Sequence, residues 1–295
     1  MNIKVTGSSG YVGSLLCKIL NLPLENRFDI LDCNNPMDIK HDSVQELICN
    51  KADVIVHLAG ISGLKACQDN EILSNETNTL ATVRLAEKAK KSGVKRFIFA
   101  SSSAVYGEAQ RYRMDEAHPT EPRSSYGQQK LRAEEILKLA CKTFEVIILR
   151  KSNLYGYGLT CKGITVIDKF LESVVKNEAI IITGTGAQRR DFFHVLDAVI
   201  VYKRLALSKK LRSGIYNLGG GETPSIRELA EKINDLADLI LSRRSEIQFK
   251  PDTLGMMSHD FRYDFSKARC EFGYTPSFTT DFYIKEKLLI ELRNG

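Results

Sequence analysis

The chain has no tryptophan, so no indole emission would mask a fluorescent ligand. Nowhere does it hold about 18 consecutive apolar residues, the length a membrane-crossing helix needs. The apolar start over residues 1–5 has neither the basic flank nor the length of a secretion signal. There is no Cys-x-x-Cys pair. The seven cysteines, Cys17, Cys33, Cys49, Cys67, Cys141, Cys161 and Cys270, form an odd, irregularly spaced set, which argues against a disulfide framework and against a metal site. Reduced structural thiols and a cytoplasmic, membrane-free location are the expectation. A dominant charge is missing too: 42 Lys+Arg minus 36 Asp+Glu leaves +6. The basic residues fall in scattered pairs such as Lys90-Lys91, Arg189-Arg190, Lys209-Lys210 and Arg243-Arg244, and without a continuous basic stripe a nucleic-acid partner is not expected.

What is present is an ordinary globular balance, 43% apolar and 26% charged residues over 295 positions, enough for two lobes or one large α/β domain. The first half alternates short β-type runs with helical ones. Strands are expected over 3–6, 28–32, 53–58, 96–101 and 145–149, and helices over 11–20, 42–49, 71–92 and 124–141. This is the rhythm of a doubly wound parallel (Rossmann) sheet in an α/β protein, and six strands are expected by residue 185. After Leu149 the glycines at 156, 158, 163, 184, 186 and 219–221 break the rhythm, which predicts a smaller C-terminal substrate-binding lobe. The expected division is 1–155 and 156–295, with some later segments returning to the sheet. A Ser225-x-x-Glu228 capping box opens the clearest helix there.

The first strand runs straight into Thr6-Gly7-Ser8-Ser9-Gly10-Tyr11-Val12-Gly13 and a helical pattern follows. A pyrophosphate site needs this order, because glycine lets the backbone turn sharply and approach the phosphates, and the helix start supplies N–H groups. Asp32 stands about 20 residues on, where a carboxylate can hold ribose hydroxyls and repel a 2′-phosphate. That favours NAD as the cofactor. Tyr126 and Lys130 lie four residues apart on one helix face, where an ammonium can favour the phenolate of a general base. The spacing alone selects nothing, since Tyr263/Lys267 and Tyr283/Lys287 share it. Only the first pair follows Ser101-Ser102-Ser103 at a strand end, the edge of such a sheet that faces the ligand crevice.

These residues resemble the extended short-chain dehydrogenases/reductases, specifically the NAD-dependent epimerase/dehydratase group acting on nucleotide sugars. The ordered motifs are TGSSGYVG, Asp32, Asp38-Ile39, His57-Leu58-Ala59-Gly60, Asn78, SSSAVYG, YGQQK, Leu149-Arg150-x-Ser152-Asn153-Leu154-Tyr155-Gly156, Gly184-Thr185-Gly186 with Arg190-Asp191-Phe192, Tyr216-Asn217-Leu218-Gly219 and Asp264-Phe265-Ser266-Lys267-Ala268. The resemblance implies that Tyr126 is the catalytic acid/base. Lys130 holds the nicotinamide ribose and lowers the Tyr126 pKa, and Ser102 bonds the substrate oxygen. Gly7, Gly10, Tyr11, Val12, Gly13, Asp32, Asp38, Ile39, Leu58, Ala59, Gly60 and Asn78 surround the cofactor. Asn153 and Arg190 hold the diphosphate, with Ser103 and Arg262 also on the substrate side. Dehydratases of the group carry an Asp-Glu pair where Ser103 and Ala104 stand, so water elimination is disfavoured. A 4-epimerase of a UDP- or dTDP-hexose is the leading expectation, with a 4-keto-6-deoxysugar reductase and a non-catalytic dinucleotide-sensing protein as alternatives. His57 and His194 read as structural or cofactor-lining. The loops 157–162 and 256–262 contain no pattern that names the sugar. The resemblance also implies a homodimer built on the helices near 71–92 and 124–141.

Overall fold

The runs Val-Ile-Val-His, Arg-Phe-Ile-Phe-Ala-Ser-Ser and Glu-Val-Ile-Ile-Leu-Arg-Lys have no alternating polar face, and each forms a strand covered from both sides. In the computed structural model, which describes residues 1–29, 38–110, 113–140, 144–159, 165–251 and 262–294, the first half proceeds as β1 (Ile3–Thr6), α1 (Tyr11–Ile19), β2 (Arg27–Phe28), α2 (Asp42–Cys49), β3 (Val54–His57), α3 (Leu64–Asp69), α4 (Glu71–Asn75), α5 (Thr82–Lys91), β4 (Arg96–Ser102), α6 (Ser125–Ala140) and β5 (Glu145–Lys151). The second half adds β6 (Asn153–Tyr155), α7 (Val166–Val175), β7 (Ile180–Thr183), β8 (Phe192–His194), α8 (Val195–Leu207), β9 (Gly214–Leu218), α9 (Ile226–Leu241), β10 (Ile247–Lys250), α10 (Ser266–Phe272) and α11 (Thr280–Asn294).

The main sheet is six-stranded in the order β2-β1-β3-β4-β5-β9, and every pairing in it is parallel. Helices α1 and α8 cover one face with Leu16, Val56, Ile98, Leu149 and Tyr202 in the core, while α2, α5 and α6 cover the other with Ile48, Leu85, Phe97, Leu137 and Ile148. This is the doubly wound fold expected from the sequence. The order turns between β1 and β3, and a sheet of this kind opens its ligand crevice at that point, beyond the carboxyl ends of the strands.

Two expectations need correction. Six strands of the sheet are not complete by residue 185, because the sixth is β9, which pairs Ile147–Lys151 with Gly214–Leu218. The run Ile-Ile-Ile-Thr at β7 alternates buried and exposed side chains, the pattern of a half-covered strand, and it pairs with β10 in a separate two-stranded sheet. The helix expected over 71–92 is not uniform either. A π-turn over Glu76–Ala81 joins α4 to α5, where the Thr77 and Thr82 hydroxyls donate to the carbonyls of Leu73 and Asn78 and loosen the regular ladder. Strand β2 pairs only Arg27 and Phe28 with β1, and the end of the expected 28–32 run lies outside the described residues. A further core of Tyr155, Phe170, Ile180, Phe192, Leu229, Ile233, Tyr283 and Leu288 holds α7, α9 and α11 together. The capping box of α9 is complete: Ser225 Oγ accepts from Glu228 N at 3.0 Å and Ser225 N donates to Glu228 Oε2 at 2.9 Å, an arrangement worth about 1 kcal/mol.

Candidate active site

β1 delivers Gly7 to the crevice with φ +71°. A Cβ there would lie 2.7 Å from Ala59 N and 2.8 Å from Leu58 C, so only glycine lets this turn press against the end of β3. One at Gly13 would fall 1.9 Å from Gly7 O. Helix α1 starts at Tyr11 behind Gly10, which offers no side-chain cap, leaving a helix start suited to an anion. The Asp29 carboxylate braces the turn, accepting from Ser8 Oγ at 2.7 Å, Ser9 N at 2.7 Å and Ser9 Oγ at 2.9 Å. Beneath it His57 bonds Thr6 Oγ1 at 2.7 Å and Thr82 Oγ1 at 2.8 Å. Burial pushes its pKa down to about 3, so it is a neutral structural tie among β1, β3 and α5. His194 is likewise structural: Nδ1 accepts from Leu196 N at the start of α8 and the ring stacks on Phe278.

A cavity of about 300 Å³ opens above this turn. Its wall contains Gly7, Gly10, Tyr11, Val12, Gly13, Leu58, Ala59, Gly60, Tyr126 and Lys130, all expected from the sequence, and also Asp29, Ala100, Lys151 and Leu154. Asn78 sits just behind it. The π-turn points its amide at the Ile61 backbone, with bonds of 2.8 and 3.0 Å, and at Gln129 Oε1, 2.8 Å away. Asp38 and Ile39 are placed differently. Asp38 is buried against Lys40, 3.5 Å away, and the Ile39 side chain belongs to the core under α2; neither lines the cavity. Asp32 lies outside the described residues.

The serines at the end of β4 divide their partners. Ser101 Oγ donates to Glu134 at 2.5 Å, Ser102 accepts from Ala104 N at 3.2 Å and bonds the Tyr126 phenol, and Ser103 bonds the Tyr263 phenol. Lys130 Nζ donates to Ala100 O at 2.9 Å and lies 4.7 Å from the Phe99 ring centre and 5.9 Å from that of Tyr126. Burial lowers its pKa to about 7, and the Lys151 charge pushes in the same direction. The Tyr126 phenol is pushed up to about 12 by burial, with the Ser102 bond pulling the other way. The expectation that Lys130 lowers this pKa therefore fails in this structure. Desolvation dominates the phenol, and Lys130, tied to the Ala100 carbonyl, is not among the groups that shift it. One turn along α6, Glu134 is fully buried and binds Arg150 through contacts of 2.6, 3.0 and 3.1 Å, pinning the helix to β5. Sequence reasoning missed Glu134 and Lys151, although both flank motifs it had singled out.

The substrate-side residues separate into two groups. Asn153 and Arg190 share a cavity of about 690 Å³ with Thr165, Lys169, Phe170, Gln188 and Ile226. Asn153 Nδ2 donates to Asp191 O at 3.1 Å, and Arg190 donates to Arg189 O at 3.0 Å. Arg262 is not in that group. It donates to Thr223 Oγ1 at 3.2 Å and lines a neighbouring cavity of about 620 Å³ with Arg113, Arg189, Arg269, Asp264 and Tyr263, the partner of Ser103. Between the two, Asp191 is buried and its pKa is raised to about 6 by desolvation, while Ser152 Oγ and Gly220 N donate to it at 2.5 and 2.8 Å. A Cβ at Gly220 would lie 1.6 Å from Phe192 O, which explains the glycine run. Most of the loops 157–162 and 256–262 lies outside the described residues.

The model of the NAD dependent epimerase/dehydratase family matches residues 3–219. The chain belongs to this family. It is 33% identical over 252 residues to a putative UDP-glucose 4-epimerase of Methanocaldococcus jannaschii, a match covering 78% of this chain and 81% of the relative. Its fold is similar to that of the UDP-glucose 4-epimerase of Thermotoga maritima, with a TM-score of 0.82, 26% identity and coverage of 100% and 99% of the two chains. It is also similar to the UDP-N-acetylglucosamine 4-epimerase of Methanobrevibacter ruminantium, with a TM-score of 0.84, 25% identity and the same coverage. This member of the epimerase/dehydratase family is an NAD-dependent enzyme of the extended short-chain dehydrogenase/reductase type. The residues present fit that cofactor. Gly7 and Gly13 leave a cradle that a Cβ would fill, an uncapped helix start faces it, and the far end carries a phenol and an ammonium. Among the described residues no helix is long and apolar enough to cross a membrane.

Proposed function

We propose that the protein is a nucleotide-sugar epimerase acting at carbon 4 of a UDP- or dTDP-linked hexose through a transient 4-keto sugar. The observation that carries this reading is the cavity with Tyr126 and Lys130 at one end, Ser102 bonded to the Tyr126 phenol from behind, and the glycine turn at the other end. Among the described residues, its only lining carboxylate is Asp29, at the glycine turn. Acid/base work on a carbon next to the reacting one would need a carboxylate beside the phenol, so the arrangement suits alcohol–ketone exchange and not elimination.

NAD, when bound, supplies a reversible acceptor for two electrons. The chain's own groups do the remainder. Tyr126 takes the proton of the sugar hydroxyl and, once the keto sugar has turned over in the site, returns a proton to the oxygen while carbon 4 is reduced on its opposite face. Ser102 holds that oxygen by a hydrogen bond, a contribution of a few kcal/mol at such sites, roughly 3. Lys130 anchors the cofactor ribose and supplies positive charge beside the phenol, and the Asn78 amide stiffens the Gly60–Ile61 wall. Arg190, whose charged form is disfavoured by burial, gains most from a diphosphate, and its planar fork suits two phosphate oxygens. With Asn153 it lines the nucleotide cavity of the lobe built mainly from residues 156–295, from which α8 and β9 return to the main sheet. Arg262 faces the sugar from the neighbouring cavity, and Ser103 supports it through the Tyr263 phenol in that cavity's wall.

Ile72, Leu80, Ile136 and Leu139 are exposed apolar side chains on the helices around 71–92 and on α6, a surface suited to a second copy of the chain and a homodimer. The free thiols Cys17, Cys49, Cys67 and Cys270 suit a reducing, cytoplasmic setting. Tyr126→Phe is expected to abolish turnover while the purified protein retains NAD, measured by denaturing it and assaying the released nucleotide. Substantial residual epimerisation in this variant would remove Tyr126 from its role.

A further inference from the structure

Arg150 and Lys151 are neighbours in β5, yet their side chains take opposite faces and opposite fates. Arg150 is buried with a full counter-ion, Glu134. Lys151 turns to the other face, where its Nζ lies 5.8 Å from the centre of the Tyr202 ring and, among the described residues, makes no hydrogen bond or ion pair. It lines the glycine-turn cavity together with Tyr126 and Lys130, and its Cα partner across the β4–β5 ladder is Ser102. Lys151 therefore belongs to the end of the cavity where the chemistry occurs, and its charge is felt by Lys130. Tyr202 holds the ammonium by its ring face without neutralising it. The Tyr202 hydroxyl is itself fully buried and, among the described residues, has no partner. A desolvated cation without a counter-ion is costly for the fold, a cost that a role toward the bound cofactor would offset.

We infer that Lys151 is a specificity-determining cation of the cofactor site, favouring the reduced, neutral nicotinamide over the oxidised, positively charged ring. The inference rests on the NAD-dependent reading of this cavity and goes beyond the proposed roles of Ser102, Tyr126 and Lys130. During the keto stage the sugar has lost a hydride to the cofactor and a proton to Tyr126; the hydride returns to the opposite face of carbon 4 and the proton to its oxygen, so no external oxidant or reductant enters. A fixed positive charge at this end favours the half-reaction that removes charge from the ring and retains the reduced cofactor until the keto sugar is reduced again.

The test compares wild type, Lys151→Met and Lys151→Arg, each stripped of nucleotide and titrated separately with NAD+ and NADH. NADH emission serves as the readout, undisturbed by indole because the chain has no tryptophan, and NAD+ is measured by competition. The ratio of NADH to NAD+ affinity is expected to fall about tenfold or more in Lys151→Met and to stay within about threefold of wild type in Lys151→Arg. A Lys151→Met ratio within about twofold of wild type overturns the inference. So does an equal loss of affinity for both forms, because a lysine that binds the pyrophosphate, identical in the two, would behave in that way. A Lys151→Arg ratio that falls as far as that of Lys151→Met also overturns it, since charge would then not be the cause. Failure of the wild-type protein to bind either nucleotide would instead refute the reading of the cavity itself, and the two failures are distinguishable.

Discussion

Replacing Glu134 with glutamine keeps the size of the side chain and removes its charge from a buried pair. The carboxylate accepts three contacts of 2.6 to 3.1 Å from Arg150 and one of 2.5 Å from Ser101, and Arg150 also lies 4.7 Å from the Tyr106 ring centre. Both ionic side chains are essentially inaccessible, at 0% and 1% exposure. Water cannot replace the lost partner, so Glu134→Gln leaves a guanidinium buried without a counter-ion, at a cost of about 3–5 kcal/mol. At about 2–4 °C per kcal/mol for a large domain, the melting temperature should drop by roughly 6–20 °C. Arg150→Met should cost a similar amount. The double variant Glu134→Gln/Arg150→Met should be more stable than the singles predict by about 2 kcal/mol or more, because it leaves no orphaned charge. Thermal and urea melts of the four proteins complete the cycle. A Glu134→Gln protein melting within about 2 °C of wild type, or costs that simply add, would refute the idea that this pair pins α6, and with it Tyr126 and Lys130, to the sheet.

Other consequences follow from the same geometry. Gly7→Ala places a Cβ 2.7 Å from Ala59 N at φ +71°, so cofactor affinity measured by calorimetry should fall about tenfold or more with the fold retained; unchanged affinity would contradict the cradle. Lys130→Met should abolish turnover yet melt higher than wild type at pH 7. The folded pKa of about 7 lies below the ordinary lysine value of 10.5, so the cost of burying the ammonium is full below pH 7 and disappears as pH rises to the unfolded value. That cost is about 4 kcal/mol at pH 7, and calorimetric scans should find the gap between the two proteins closing by pH 10. For His57 the folded pKa is about 3 against 6.5, so the unfolded chain gains the proton first. Stability should fall by up to about 1.4 kcal/mol per pH unit between 6.5 and 3, and a His57→Asn variant should lose less over that window in acid melts.

The parts of the site that lie on the chain in strand–turn–helix order were legible from the sequence. Gly7, Gly10 and Gly13 could be placed because glycine spacing, the preceding strand and the following helix form one local constraint, whereas Tyr126 and Lys130 were singled out only by their order after the Ser101–Ser103 strand end, and Ser102 among those serines only by the family resemblance. Long-range packing was not legible in the same way. β9 joins the sheet from residues 214–218, and nothing in Gly-Ile-Tyr-Asn-Leu distinguishes that partner from another. Asn78 reaches Ile61 only because a π-turn interrupts a run whose periodicity reads as regular helix. Lys151 follows Arg150 at the end of an apolar run and looks like the point where a strand meets solvent. Only the alternation of sides sends the first charge to Glu134 and the second into the cofactor cavity.

The central claim is that this enzyme of the epimerase/dehydratase family inverts carbon 4 of a nucleotide-linked hexose with a cofactor it keeps. The direct measurement incubates the purified protein, without added nucleotide cofactor, with UDP-glucose, UDP-N-acetylglucosamine, UDP-glucuronate and dTDP-glucose, follows the sugars by proton NMR, and then denatures the protein to assay what it held. At least one of them is expected to be converted to its 4-epimer, and NAD to be released in a ratio near one per chain. Conversion that requires added NADPH, or accumulation of a 4-keto-6-deoxysugar, would contradict that claim.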